Sequence, residues 1–256
     1  MIRKSKKREV KEKYTNKDYW DRYWGNEKRE DITFYFSDIV NKYIDWSQVQ
    51  SYMEIGGAPG SIMAYLHKKH NLAVSTIDFT ERRVTEEYLD NQGIHDYEIL
   101  QEDFLTFDVS GFGRQYDLVA SWGFVEHFAK NQSSLLIEKH KRLVRDKGYL
   151  IIEIPNIRKF FWLMYFLFNR DLIKIHNLEI MNLKWLKEQI MNGGEFNLLY
   201  AGYHIAINEQ NEYFVEHEKQ KKFCKGIINF IKKLRIGNEI KCLFFPYILL
   251  VAQKKR

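Results

Sequence analysis

The chain has 256 residues, enough to bury a substantial core, and suits one large domain or a domain with insertions. Hydrophobic residues make up 45% and aromatics 16%, and no apolar run is long enough to cross a bilayer, which excludes a disordered chain and a membrane-spanning one. Residues 1–13 hold seven Lys/Arg against two Glu and residues 221–256 ten against one, so a net charge of +6 conceals a body of −8 over 14–220, unlike a nucleic-acid enzyme with a basic cleft.

The N-terminus is charged and has no apolar signal core, which predicts a cytoplasmic protein. Residues 1–13 read as a basic flexible leader and 14–256 as one domain. A short helix over 15–24 is capped by Thr15 or Asn16 and pairs Tyr19 with Tyr23 and Trp20 with Trp24. Phe34, Phe36, Ile39, Val40, Tyr43 and Ile44 recur at helical spacing and predict a second helix over 33–45.

Ser51-Tyr52-Met53-Glu54-Ile55 then reads as a strand that ends in an acid. A turn, Gly56-Gly57-Ala58-Pro59-Gly60, leads into a helix over 60–70. Strand, glycine turn and helix form the layout that brings a nucleotide-like ligand close to backbone. The dinucleotide pattern G-x-G-x-x-G falls on Gly56, Ala58 and Ser61 and fails at two of three positions. The pattern E-x-G-x-G-x-G fits at Glu54, Gly56 and Gly60, with Ala58 in place of the middle glycine.

Strand two covers 72–78 and ends at Asp78-Phe79, where a carboxylate can accept from both ribose hydroxyls of an adenosine; it can equally cap the helix predicted over 80–91. Strand three, 97–101, runs into Glu102-Asp103-Phe104, with Glu102 facing the surface. Strand four, Tyr116 to Gly123, continues into Phe124-Val125-Glu126-His127-Phe128. A helix over 131–146 stops at Asp146-Lys147-Gly148, and strand five, 149–154, ends at Pro155-Asn156.

These motifs together resemble the class I S-adenosylmethionine (SAM) methyltransferases: the acid and glycines after strand one, the acid after strand two, Asp103-Phe104 after strand three, and the Tyr-Asp start and Glu-His sequel of strand four. The resemblance covers 50–156 and implies a doubly wound, Rossmann-like α/β fold. Its sheet would be seven-stranded and mostly parallel, with the last strand antiparallel and helical lids added. It implies SAM as cofactor, held by Glu54, Gly56, Gly57, Ala58, Gly60, Asp78, Phe79, Asp103, Phe104 and Ser121. In that family a Tyr-Trp-rich first helix like 15–24 lies over the cofactor, and an acid such as Asp103 accepts from the adenine amine while Phe104 covers the ring.

Past strand five the chain leaves the shared pattern, with inserts at 156–182 and 210–240. The first is apolar from Phe160 to Phe168 between basic flanks. The second carries a basic amphipathic helix over 215–235. A helix over 183–192, strand six over 196–207 and a last strand over 243–252, with Pro246 marking a bulge, complete the chain. His127 and His176 are the histidines placed to serve as a base for a hydroxyl acceptor, although holding a loop is the commoner role for each.

The function expected is methyl transfer from SAM to a small-molecule or saccharide acceptor, at a hydroxyl, with a lipid-linked acceptor and peripheral membrane contact open. No nucleic-acid partner is expected, and the oligomeric state is open. A noncatalytic SAM-fold binding module and an NAD-dependent dehydrogenase are the alternatives. Cys224 and Cys242 have no metal spacing, no His/Asp/Glu cluster has one either, and both thiols are expected free.

Overall fold

The computed structural model describes residues 15–26, 34–205 and 237–256. Seven strands form one sheet in the order β3-β2-β1-β4-β5-β7-β6: β1 Ser51–Ile55, β2 Ala73–Asp78, β3 Tyr97–Gln101, β4 Tyr116–Trp122, β5 Val144–Pro155, β6 Phe196–His204 and β7 Tyr247–Lys254. The five strands from β3 to β5 are mutually parallel, and β7 runs antiparallel between β5 and β6.

Burial on both faces explains the apolar runs. The centre of β5, Leu150-Ile151-Ile152, and of β7, Leu249-Leu250-Val251, is fully covered. One core lies on the face packed by α6 (Lys130–Leu143) and α9 (Leu183–Met191), with Leu136, Ile137, Leu186 and Ile190 against Val119, Ile152 and Leu250. The other lies under α2 (Ser37–Tyr43), α3 (Ser61–His70) and α4 (Arg82–Asn91), where Val40, Met63, Leu66 and Leu89 meet Tyr52, Leu118 and Ile151. Among the described residues the remaining α-helices are α1 (Lys17–Asn26), α5 (Val109–Phe112), α7 (Phe160–Phe168), α8 (Arg170–Lys174) and α10 (Asn238–Phe244).

Several boundaries differ from the sequence reading. α6 stops at Leu143 and β5 begins at Val144, so Asp146-Lys147-Gly148 lies inside the extended segment. There Gly148 is required by backbone crowding: a Cβ would lie 2.9 Å from the Arg145 carbonyl and 3.0 Å from that of Asp117. Pro246 marks no bulge; β7 starts one residue after it, where its missing N–H breaks no ladder, and its carbonyl accepts the Asn156 N–H at 2.6 Å. The register irregularity falls instead in β6, between Leu198 and Tyr200. α2 is shorter than 33–45: Phe34 and Phe36 are buried ahead of it, and at Ile44 the backbone turns extended.

The insert after β5 has a small core of its own, built from Ile157, Phe161, Tyr165 and Met181. Asn156 fastens its base to the approach of β7 by donating from Nδ2 to the Cys242 and Phe245 carbonyls. Among the described residues Cys242 is a free thiol, and no helix is long and apolar enough to cross a membrane. The leader 1–13, the amphipathic helix 215–235 and Cys224 lie outside the described residues.

Candidate active site

Strand order reverses between β1 and β4, so a crevice opens at their carboxyl ends, the position where open α/β sheets bind ligands. The loops after β1, β2 and β4 meet there. Asp78 joins the first two: its Oδ2 accepts the Ala58 N–H at 3.0 Å and its Oδ1 the Thr80 N–H at 2.9 Å. Burial raises the Asp78 pKa, and these two amides act against that rise. Each oxygen keeps a further lone pair for a ligand.

Glu54 is buried at the end of β1. The Trp122 indole donates to the Tyr52 hydroxyl, which donates to Glu54 Oε2, each at 3.0 Å. Desolvation, with Asp78 as a lesser cause, pushes the Glu54 pKa up to about 8, against the opposing Tyr52 hydrogen bond. The Thr76 hydroxyl donates to the Glu54 carbonyl at 2.9 Å.

Gly56 and Gly60 have φ of +72° and +102°, which L side chains rarely adopt. Gly57 is constrained by space: a Cβ there would lie 2.6 Å from Thr76 Oγ1. Gly60 is also the N-cap of α3, where no side chain satisfies the first amides. Two carboxylates, a tight glycine turn and no Lys or Arg from 54 to 61 suit an adenosine with a cationic tail and oppose a pyrophosphate.

Helix α1 closes the crevice. Asn16 accepts the Tyr19 N–H and caps it, and the predicted pairs meet as stacked rings, Tyr19 on Tyr23 and Trp20 on Trp24. Asp21 accepts the Glu81 N–H after β2 at 3.0 Å, and the Trp20 ring stands edge-on to His127 after β4 at 4.9 Å. α1 therefore bridges the loops after β2 and β4, over the end of β1.

The remaining predicted residues are placed unevenly. Phe79 is half-buried beside Asp78. Asp103 is half-buried and its Oδ1 accepts the Leu105 N–H, while Phe104 is only 2% exposed, packed on Phe124 and His140. Glu102 is exposed, as expected. Lys139 holds this turn by donating to the Phe104, Leu105 and Phe107 carbonyls. Ser121 is fully buried at the end of β4 and its Oγ has no partner. The Tyr-Asp start of β4 lies at the other end of the sheet: Asp117 accepts from the Gln50 and Ser51 amides and from Arg145, so it ties strands together.

His127 and His176, 49 residues apart in sequence, come together with ring centroids 4.7 Å apart. His127 Nδ1 faces the Ile175 carbonyl at 2.8 Å and His176 Nδ1 the Leu172 carbonyl at 2.5 Å. A carbonyl only accepts, so the His176 proton sits on Nδ1 and its Nε2 lone pair is open; the His127 ring meets two backbone carbonyls, Ile175 and Gly123, so the form with Nδ1–H and an open Nε2 is one of its two tautomers. Burial pushes the two pKa values down to about 3 and about 4. Glu126, which the sequence offered only as part of the Glu-His sequel of strand four and with no role of its own, has Oε1 3.6 Å from His127 Nε2 and 4.0 Å from His176 Nε2, and its pKa is pushed up to about 8 by desolvation. Glu153 on β5 is the other residue missed, buried with its pKa raised by desolvation and by Glu126. Its signal was a lone acid in the otherwise apolar run Ile151-Ile152-Glu153-Ile154.

This strand order with an antiparallel β7 is the class I methyltransferase fold. Solved structures similar to this chain include the O-methyltransferase segment StiE O-MT (15% identity, TM-score 0.53, covering 86% of this chain and 73% of that one). The N-methyltransferase NodS from Bradyrhizobium japonicum WM9, in complex with S-adenosyl-L-homocysteine, is similar at 11% identity and TM-score 0.57, over 94% of this chain and 98% of that one. The [4+2]-cyclase SpnF is similar at 12% identity and TM-score 0.57, over 86% and 80%. No protein-family profile matches the sequence. No curated protein matches it either.

Proposed function

We propose that the protein transfers the methyl group of SAM to a small-molecule or saccharide hydroxyl. One observation carries this reading: Asp78 and the Gly56–Gly60 turn are locked together at the switch point of the sheet, beside Glu54 in a stretch with no Lys or Arg from 54 to 61. The same fold in a [4+2]-cyclase means that chemistry must be argued from the site. A dinucleotide is disfavoured because Glu54 would lie beside its phosphates, whereas Asp78 on a ribose is common to both ligand classes.

Asp78 would accept from the ribose hydroxyls, Asp103 from the adenine amine, and Glu54 would balance the cationic end of the cofactor. When bound, SAM supplies an already activated methyl group, so the protein's part is alignment and exclusion of water. α1 excludes water by bridging the loops after β2 and β4. Ser121 would face the cofactor from the end of β4, and the Glu126–His127–His176 cluster marks the acceptor side. With pKa values of about 3 and 4, neither buried histidine is suited to carry the acceptor's proton.

A lipid-linked acceptor is favoured by α7, whose Trp162, Leu163, Phe166 and Leu167 are 38–59% exposed. Trp162 stacks on Phe166, and Arg170 lies over the Phe166 ring. Interfacial aromatics beside basic residues suit an anionic bilayer surface. Flotation with anionic liposomes at low salt should carry the protein up, and Trp162→Ser with Leu167→Ser should leave it behind. Wild-type protein that stays unbound would return the acceptor to solution. Methyl transfer itself is read as S-adenosylhomocysteine released in the presence of hydroxyl acceptors, and a panel that yields none while SAM binds would favour the noncatalytic module.

A further inference from the structure

We propose that Glu126, His127 and His176 form a binding site for one divalent transition-metal ion of the zinc class, pinning the insert after β5 to the loop after β4. Glu126 Oε1 lies 3.6 Å from His127 Nε2 and 4.0 Å from His176 Nε2. One ligand atom from each of the three residues falls within 4.8 Å of the others, and all three side chains are buried. The Leu172 carbonyl holds the His176 proton on Nδ1 and the Ile175 carbonyl can do the same for His127, so with Glu126 ionised three lone-pair atoms converge at separations too long for a hydrogen bond. Such an arrangement is unfavourable unless something positive stands between them.

A zinc-class ion fits that gap. With metal–ligand distances of about 2.0–2.2 Å in tetrahedral geometry, ligand atoms sit roughly 3.3–3.5 Å apart, so the 3.6 Å pair would contract by a few tenths of an ångström, the 4.0 Å pair by about half an ångström, and the third pair, within 4.8 Å, by at most about 1.4 Å as the rings close on the ion. The Nδ1-to-carbonyl bonds are the partners that orient metal-binding histidines and fix their tautomer. Two imidazoles and one carboxylate favour zinc, iron or cobalt over magnesium or calcium.

A second observation is independent of these distances. Glu126 Oε2 and Glu153 Oε1 are both buried and without a hydrogen-bond partner. Buried carboxyl oxygens left without a partner at one place are what a bound cation satisfies. The ion would also have a structural effect. His176 belongs to the insert and Glu126–His127 to the loop after β4, and Asn177 already stitches the two by donating from its backbone to Glu126 and from its side chain to the Phe128 carbonyl. Coordination would add a stronger link at the same seam, beneath Trp20 of α1.

The full-length protein, stripped with a chelator, is titrated with Co²⁺, Zn²⁺ and Mg²⁺. Co²⁺ should bind in one equivalent with visible absorption of tetrahedral or five-coordinate intensity, and Zn²⁺ should displace it while Mg²⁺ does not. Histidine ¹⁵N spectra of the wild type should show two Nε2 signals move on adding Zn²⁺, with both Nδ1 signals remaining protonated. Glu126→Gln and His176→Ala should weaken Co²⁺ binding at least tenfold, while His95→Ala, at an exposed histidine, should not. Protein that takes up no Co²⁺, or a His176→Ala variant that binds as tightly as wild type, overturns the site. If a variant fails to fold, the wild-type ¹⁵N spectrum decides alone: shifts confined to other histidines overturn it. None of these readouts needs turnover, so the metal site and the methyl-transfer reading fail separately.

Discussion

Replacing Asp78 with Asn tests whether one carboxylate both builds the crevice and holds the ligand. Asp78 accepts one amide on each oxygen, Ala58 on Oδ2 and Thr80 on Oδ1. Asn keeps one acceptor and turns an NH₂ towards the other amide. A buried N–H left without an acceptor costs about 1–3 kcal/mol. The raised pKa of Asp78 shows that burying the charge is itself unfavourable, which returns part of that cost and leaves a net loss of roughly 1–2 kcal/mol. Binding should suffer more, because a ribose hydroxyl bonded to a charged acceptor contributes roughly 1.5–3 kcal/mol, or about 10–150-fold in Kd. Urea unfolding gives the first quantity and calorimetric titration with SAM the second. A folded Asp78→Asn protein that binds SAM within about twofold of wild type would refute the assignment of Asp78 to the ribose.

Three further outcomes follow from the same geometry. Glu54, with its pKa near 8 and a cation expected beside it, should lose a proton when SAM binds at pH 7, read as a dependence of the binding heat on buffer ionisation enthalpy; Glu54→Gln should remove that dependence. Ligand-free and metal-free protein should lose stability as pH rises from about 6.5 towards 8, by at most ~1.4 kcal/mol per unit for each carboxyl. The sign comes from Glu54 and Glu126, raised to about 8 and so still protonated when folded but ionised when unfolded, whereas the buried histidines, lowered to about 3 and 4, favour the fold only as pH climbs to about 6.5. Flat or rising urea midpoints over that window would refute it. Gly60→Val places a branched residue at φ +102° with its Cβ 3.2 Å from Thr85 Cγ2, and should cost about 1–3 kcal/mol in stability and abolish SAM binding; unchanged affinity would remove the turn from the site.

The fold was legible because its strands are buried on both faces and therefore read as Ile/Val/Leu runs bounded by acids and glycines. The start of β5 was not, because Arg145, Asp146 and Lys147 extend past the covered part of the sheet and carry the signature of a turn. Glu54, Asp78 and the glycines could be found locally, since a strand end fixes where their backbone must lie. The partners that set their chemistry could not: the Trp122–Tyr52–Glu54 relay joins β4 to β1 across 70 residues, and the Glu126–His127–His176 cluster forms only when the insert folds back on the loop after β4. Asp117 shows the converse, a motif residue whose hydrogen bonds serve the sheet and not the crevice.

The central claim is that the crevice between β1 and β4 is built for SAM. Calorimetric titration of the purified full-length chain with SAM, and separately with NAD, tests it without any knowledge of the acceptor. The predicted result is saturable binding of one SAM per chain, competed by S-adenosylhomocysteine, and no heat with NAD. Binding of NAD, or no binding of SAM by folded protein, would contradict it.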